Sequence, residues 1–341
     1  MKSSSFLLLI VLAFTHTTNA KLFALNDTET EHVFRLVEVD PTSGNRVAVG
    51  KADVPYVPWT TDIDHENGIL YLLGQKAVDL GAGNLTLVGV SLTTGGVVST
   101  TSIPEPLESF GLLTASVAFA AEMNLIILSF TTAAKVHLVG TIDPKTSAWK
   151  VVTSIDNSST IKDVGGAGDG AYVPGIGEFI WQLAVNNTIT QFAFNFKTGR
   201  LRNATSAQFT NFVYNPKDKM LYGHGIIAGP VQPNGKQYWM RTLEKMDPAS
   251  LVVEQVKVLQ ELSVDAGGAI ALDTENQILY WQSMLYKDAV AGSKMPVYIA
   301  SVSLAKWWHG VKVAISEDAI CVNWESSLGG NTTCLATLNF A

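Results

Sequence analysis

One turn recurs along this chain at nearly constant spacing. A short apolar strand runs into a polar residue and then into Asp-Pro or Thr-Gly: LVEVDPTSG ends at Gly44, LVGVSLTTG at Gly95 and LVGTIDPKTS at Ser147. The pattern returns as FAFNFKTG ending at Gly199, LEKMDPAS at Ser250 and IASVSLAKW near Trp307. The strand-end residues Asp40, Ser91, Asp143, Asn195, Asp247 and Ser303 stand 51, 52, 52, 52 and 56 residues apart. A fixed period of this length restricts the chain to an array of like supersecondary units, each burying its apolar face against its neighbours.

A second pattern runs in phase with the first: an apolar strand, an acidic or Asn turn, and another apolar strand. It reads TDIDHENGILYLL (61–73), SVAFAAEMNLIIL (116–128), AYVPGIGEFIW (171–181), FVYNPKDKMLY (212–222) and IALDTENQILY (270–280). Alternation and turn residues make each a hairpin. The Asp-Pro-type turn joins a second hairpin that ends in RVAVG, GVVST, WKVVT, RLRNA, VVEQV or VKVAI. Each repeat therefore holds about four antiparallel strands, and no stretch with sustained helical periodicity competes. Six four-stranded units of this period predict an all-β chain, a six-bladed β-propeller.

The first unit opens at LFALN, which matches the second strand of the other repeats, so its innermost strand is missing. The tail 317–341 contains strand-like runs, and a C-terminal strand from it is expected to close the ring as part of a closing hairpin. Cys321 and Cys334, the only two cysteines, are expected to pair there and staple the seam.

Residues 1–20 read as a secretory signal peptide: Lys2, the apolar run FLLLIVLAF from Phe6 to Phe14, and Thr18-Asn19-Ala20 as the small-residue site. The expected mature chain, 21–341, is then a single secreted propeller domain with no transmembrane segment. Six Asn-X-Ser/Thr sequons, at Asn26, Asn84, Asn157, Asn186, Asn203 and Asn331, mark expected N-glycosylation sites on surface loops. With 30 acidic against 23 basic residues, a formal charge of −7 and no basic block, nucleic acid is not an expected partner.

The repeat grammar resembles six-bladed propellers of the gluconolactonase, strictosidine-synthase and NHL-repeat kind, across almost the whole mature chain. That resemblance implies the fold. The Glu-Ser-Pro-like entry and Asn-Gly-Leu segment that supply calcium ligands in the gluconolactonase group are missing, and so are WD and kelch signatures.

Aligned on the innermost strand, one position holds Thr60, Ala115, Asp169, Asn211 and Ala269. Asp169 and Asn211 are its polar members, from adjacent blades. A carboxylate and an amide oxygen beside the channel can hold Ca²⁺, or simply line a hydrated channel. Asp62-Ile63-Asp64-His65-Glu66 looks metal-like, but Asp64 aligns with Asp273 and Asn67 with Asn276, which points to turn chemistry; Asp62 faces the other way, nearer the channel. His32, His65, His137, His224 and His309 are scattered over different repeats, with no nucleophile elbow. Trp307-Trp308-His309 is a candidate exposed aromatic surface or packs on the closing strand. Two readings follow: a binding or interaction module for an extracellular protein, glycan or small molecule, or a calcium-assisted hydrolase, lactonase- or esterase-like, working at the axial channel.

Overall fold

A computed structural model describes residues 9–13, 21–28, 33–40, 45–76, 84–105, 115–156, 164–165, 170–186, 188–207, 209–231, 237–263, 270–285 and 297–304, with short strand pieces at 312–313, 322–324, 331–333 and 338–339. Six antiparallel blades follow one another along the chain. Blade 1 runs β1 (Leu9–Ala13), β2 (Lys21–Asp27), β3 (Phe34–Val39) and β4 (Arg46–Ala48). Blade 2 is β5 (Tyr56–Asp64), β6 (Ile69–Lys76), β7 (Thr86–Ser91) and β8 (Val97–Ser102). Blade 3 is β9 (Ser116–Ala120), β10 (Leu125–Thr131), β11 (His137–Ile142) and β12 (Trp149–Ile155). In blade 4, β13 (Val164–Gly165) and β14 (Gly170–Val173) both pair with β15 (Glu178–Val185), followed by β16 (Thr188–Asn195) and β17 (Leu201–Thr205). Blade 5 is β18 (Thr210–Asn215), β19 (Met220–Val231), β20 (Gln237–Asp247) and β21 (Val252–Ser263); blade 6 begins with β22 (Ile270–Asp273), β23 (Ile278–Leu285) and β24 (Val297–Ser303).

Local chemistry explains the repeat. At the turn between third and fourth strands, the side chain of the strand-end residue accepts hydrogen bonds from the backbone N–H groups two and three residues on. Ser91 Oγ accepts from Thr93 and Thr94, Asp143 Oδ1 from Lys145 and Thr146, and Asn195 Oδ1 from Lys197 and Thr198. Asp247 Oδ1 likewise accepts from Ala249. Four residues after the strand end the backbone turns left-handed, at Gly95, Ser147, Gly199 and Leu251, and each of these N–H groups returns to the strand-end carbonyl at 2.8 Å. The first hairpin turn is equally regular. Asp64 Oδ1 accepts from Asn67 N and its Oδ2 from Asn67 Nδ2 at 2.7 Å; Asp273 and Asn276 repeat the pair, also at 2.7 Å. The acidic cluster at 64–67 is turn chemistry, as its alignment implies.

Between blades, apolar side chains interdigitate. Leu70, Leu72 and Val90 of blade 2 pack with Leu25 and Leu36 of blade 1, and Phe179 and Trp181 of blade 4 pack with Ile127 and Val139 of blade 3. Trp181 and Trp281 are buried core residues. At the blade 4–blade 5 rim, Arg202 is bonded to the Glu178 carboxylate and to the carbonyls of Pro248 and Ala249.

Two parts of the architecture differ from the sequence expectation. The innermost strand of blade 1 is β1, from the N-terminal apolar run, antiparallel to β2 with Leu9 opposite Leu25 and Ala13 opposite Lys21. The C-terminal strand was expected in that position. The described pieces of the tail pair elsewhere: β27 (Asn331–Thr333) lies parallel to β24 and antiparallel to β26 (Val322–Trp324), while β25 (Lys312–Val313) pairs with β28 (Leu338–Asn339). The physical reason is composition: Leu-Ile-Val-Leu-Ala is as good a buried strand as it is a leader core, and only a short connection separates it from β2. Among the described residues blade 6 has the antiparallel strands β22, β23 and β24, and the described part of VKVAI, β25, pairs with β28. Cys321 and Cys334, Asn157 and Trp307-Trp308-His309 lie outside the described residues, as does the side chain of Asn331. Among the described residues no helix is long and apolar enough to cross a membrane.

Candidate functional site: an axial funnel

Each inner strand meets the ring axis edge-on, and each hairpin register places its residues at matching heights. Asp64, Ala120, Val173, Asn215 and Asp273 are equivalent, being the last inner-strand residues paired with the second strand. Counting back from them gives rings of side chains around a cavity of about 410 Å³ that opens at the hairpin-turn face. The mouth carries His65, Ala121, Pro174, Pro216 and Thr274. Deeper lies a ring of large side chains: Ile63, Phe119, Tyr172, Tyr214 and Leu272. Below it the lining includes Asp62, Ala171, Val213 and Ala271, and then Thr61, Val117, Gly170, Phe212 and Ile270.

Small residues dominate the Asp62 level because six strands converge there. Asp62 stands at the height where the other blades place Ala118, Ala171, Val213 and Ala271, and is the exception in charge and size. Its Oδ2 accepts from the Phe119 backbone N–H of the next blade at 2.6 Å, and its Oδ1 from the Ile63 N–H at 2.8 Å. The first bond caps a donor on the free edge of β9 and ties blade 2 to blade 3. Burial pushes the Asp62 carboxyl up to about 6, against the opposing pull of these two backbone donors. Burial also holds the His65 imidazole below its usual range, opposed by the neighbouring Asp64 carboxylate.

The aromatic walls are fixed from behind. Tyr172 donates its hydroxyl to Glu122 Oε1 at 2.5 Å, and Glu122 Oε2 accepts from Gly175 N at 3.1 Å. Burial and that carboxylate push the Tyr172 phenol well above its ordinary range. Phe212 stacks on Phe209 with ring centroids 5.0 Å apart, and Phe119 leans on Tyr71 at 5.9 Å. Thr61 Oγ1 is buried and has no hydrogen-bond partner among the described residues.

Buried polar groups also line the blade interfaces. His137 Nδ1 shares a hydrogen bond with Thr131 Oγ1 at 3.1 Å, and its ring stacks on Trp181; burial drives its pKa down to about 3. His224 lies edge-on to Trp281, 4.9 Å between centroids, held neutral by burial and by Arg241. Gln191 Nε2 donates to Gln182 Oε1, which also accepts from Phe209 N. These groups join blades rather than face a ligand.

Of the residues singled out in the sequence, Asp169 lies outside the described set. Asn211 sits in β18 with φ +49°, beside the register shift between Thr210 and Val213. Asn84, Asn186 and Asn203 are exposed. Asn26 and Asn203 lie within strands rather than loops, and Asn26 Oδ1 accepts from Arg46 Nη1 at 2.7 Å. The aromatic ring of the funnel was not read from the sequence. The signal for it was present: Phe119, Tyr172 and Tyr214 each immediately precede the last inner-strand residue.

No protein-family model matches the chain, and no curated protein matches it in sequence. Solved structures do match in shape. Kuenenia stuttgartiensis hydrazine synthase shares 13% identity at a TM-score of 0.54, over 84% of this chain and 77% of that one. An oligogalacturonate lyase in complex with manganese shares 10% identity at a TM-score of 0.50, over 97% and 96%. TolB from Acinetobacter baumannii shares 12% identity at 0.48, over 82% and 60%. The likeness to the hydrazine synthase and the lyase is one of fold, and with the blade order and register it identifies the chain as a six-bladed β-propeller.

Proposed function

We propose that this chain is a secreted, N-glycosylated propeller that works as a binding module, its ligand entering the axial funnel. One observation carries the reading: five inner strands set a ring of four bulky apolar or aromatic side chains and a fifth, Ile63, around an open cavity of about 410 Å³, a size that suits a small organic molecule. Tyr172 is braced by Glu122 and Phe212 by Phe209, so the wall is preformed.

The test is a thermal-shift and NMR screen of small organic molecules against the wild-type chain and Ala171→Leu, which adds bulk at a narrow level. Binders that shift resonances of the funnel and lose affinity in Ala171→Leu are expected. Binders unaffected by that change, mapping to the opposite face, overturn the placement. The calcium-assisted hydrolase remains the competing reading. Tight calcium binding with lactone or ester turnover, both lost in Asp169→Ala, overturns the binding module.

A further inference from the structure

From the placement of Asp62, and resting on the funnel as the binding site, we infer that the ligand is a small organic cation: an alkyl- or aralkylammonium whose apolar body fills the funnel and whose charged end reaches Asp62. Three features of the chain converge on that chemistry. Asp62 is the acidic member of a level whose other members are alanine and valine. It lies three residues along the strand from the mouth residue His65, about 10 Å deep at the rise of a strand. Directly above it stands the ring that includes Phe119, Tyr172 and Tyr214, whose π-faces favour a cation over a neutral group of the same shape.

Among the described residues the Asp62 carboxylate has two backbone donors and no cationic side chain bonded to it. An ammonium group bound there supplies the missing countercharge in a setting of low polarity, where a charge pair is stronger than in bulk water. An anionic ligand meets repulsion in the same place, and the chain's net charge of −7 works in the same direction.

Calorimetric titration with 2-phenylethylammonium, benzyltrimethylammonium, 2-phenylethanol and 3-phenylpropionate tests the inference. The two cations are expected to bind at least about tenfold tighter than the alcohol, and the carboxylate not at all. Asp62→Asn, with folding checked by thermal melting, is expected to abolish that preference. If the alcohol binds as well as the cations and Ala171→Leu removes both, the cation inference fails and the funnel reading stands. If no probe binds, both fail. A second measurement does not depend on the variant. The carboxyl ¹³C titration of Asp62 in the wild-type chain is expected to move to lower pH with bound cation, and a midpoint that stays in place overturns the inference.

Discussion

Replacing Asp62 by Asn tests the electrostatics of the funnel without any ligand. The carboxyl titrates near 6 in the folded chain against an ordinary 3.8. Between those values the folded state holds the proton and the unfolded state has released it. Stability therefore falls as pH rises through about 4 to 6 and levels off above. At about 1.4 kcal/mol per pH unit the full penalty is about 3 kcal/mol. Asp62 keeps part of its surface in the funnel, so about 1–2 kcal/mol is the working figure. Asn carries no charge but has one oxygen for two backbone donors, a loss of about 1 kcal/mol. The variant is thus expected to be the less stable at pH 4 and to gain about 1–2 kcal/mol on the wild type by pH 8. Urea midpoints at unit pH steps measure this. The buried His137 and His224 and the raised carboxyl of Glu244 also bend each profile, but they are common to both proteins and cancel in the difference. A difference that stays flat, or runs the other way, refutes the argument that Asp62 is held in the funnel against its own solvation.

Other perturbations probe the frame. His137 is expected to stay neutral from pH 8 down to about 4, so stability declines as pH falls from 6.5 toward 3; an imidazole NMR midpoint near 6.5 contradicts its burial. Ser147→Gly relieves a left-handed backbone at φ 56° and should add about 0.5–1 kcal/mol in chemical denaturation, whereas Leu251→Gly, at φ 60° but with a buried side chain, should cost about 2 kcal/mol. Arg202→Ala leaves the Glu178 carboxylate without its cation and should cost about 3 kcal/mol, with Arg202→Lys recovering less than half. Expressed through a eukaryotic secretory pathway, at least three of the sequons should lose mass to an N-glycosidase, with Asn84 and Asn186 carrying glycans and Asn26, tied to Arg46 within β2, bare.

The propeller was legible in the sequence because its turns are local chemistry. Asp143 and Asn195 bond to N–H groups two and three residues away, so the same short string marks the same corner in blades 2 to 5. The funnel was only half legible, because the heights of side chains depend on strand pairing. The repeat pattern sets Thr60 against Ala115, whereas the pairing of Asp64 with Ile69 and Ala120 with Leu125 sets Thr60 against Ser116. A slip of one residue turns a side chain to the other surface of the blade. In the other blades the pattern and the pairing agree and set Asp62 against Ala171, Val213 and Ala271, so the slip misplaces blade 3 alone. The seam was illegible for another reason: Leu9–Ala13 and the tail are both apolar and β-prone, and composition alone does not rank two strands competing for one edge.

The strand Leu9–Ala13 makes the timing of proteolysis a structural variable. A cut after Ala20 falls in the connection between β1 and β2, beyond the last pair of Ala13 with Lys21. A chain cut before it folds must complete its first blade with some other segment. A chain cut after folding is a nicked, two-fragment protein, its short fragment kept by five cross-strand pairs and released only when the ring opens. Two preparations with one covalent sequence can thus differ in what closes the ring. Native and denaturing mass spectra of the same sample would tell them apart.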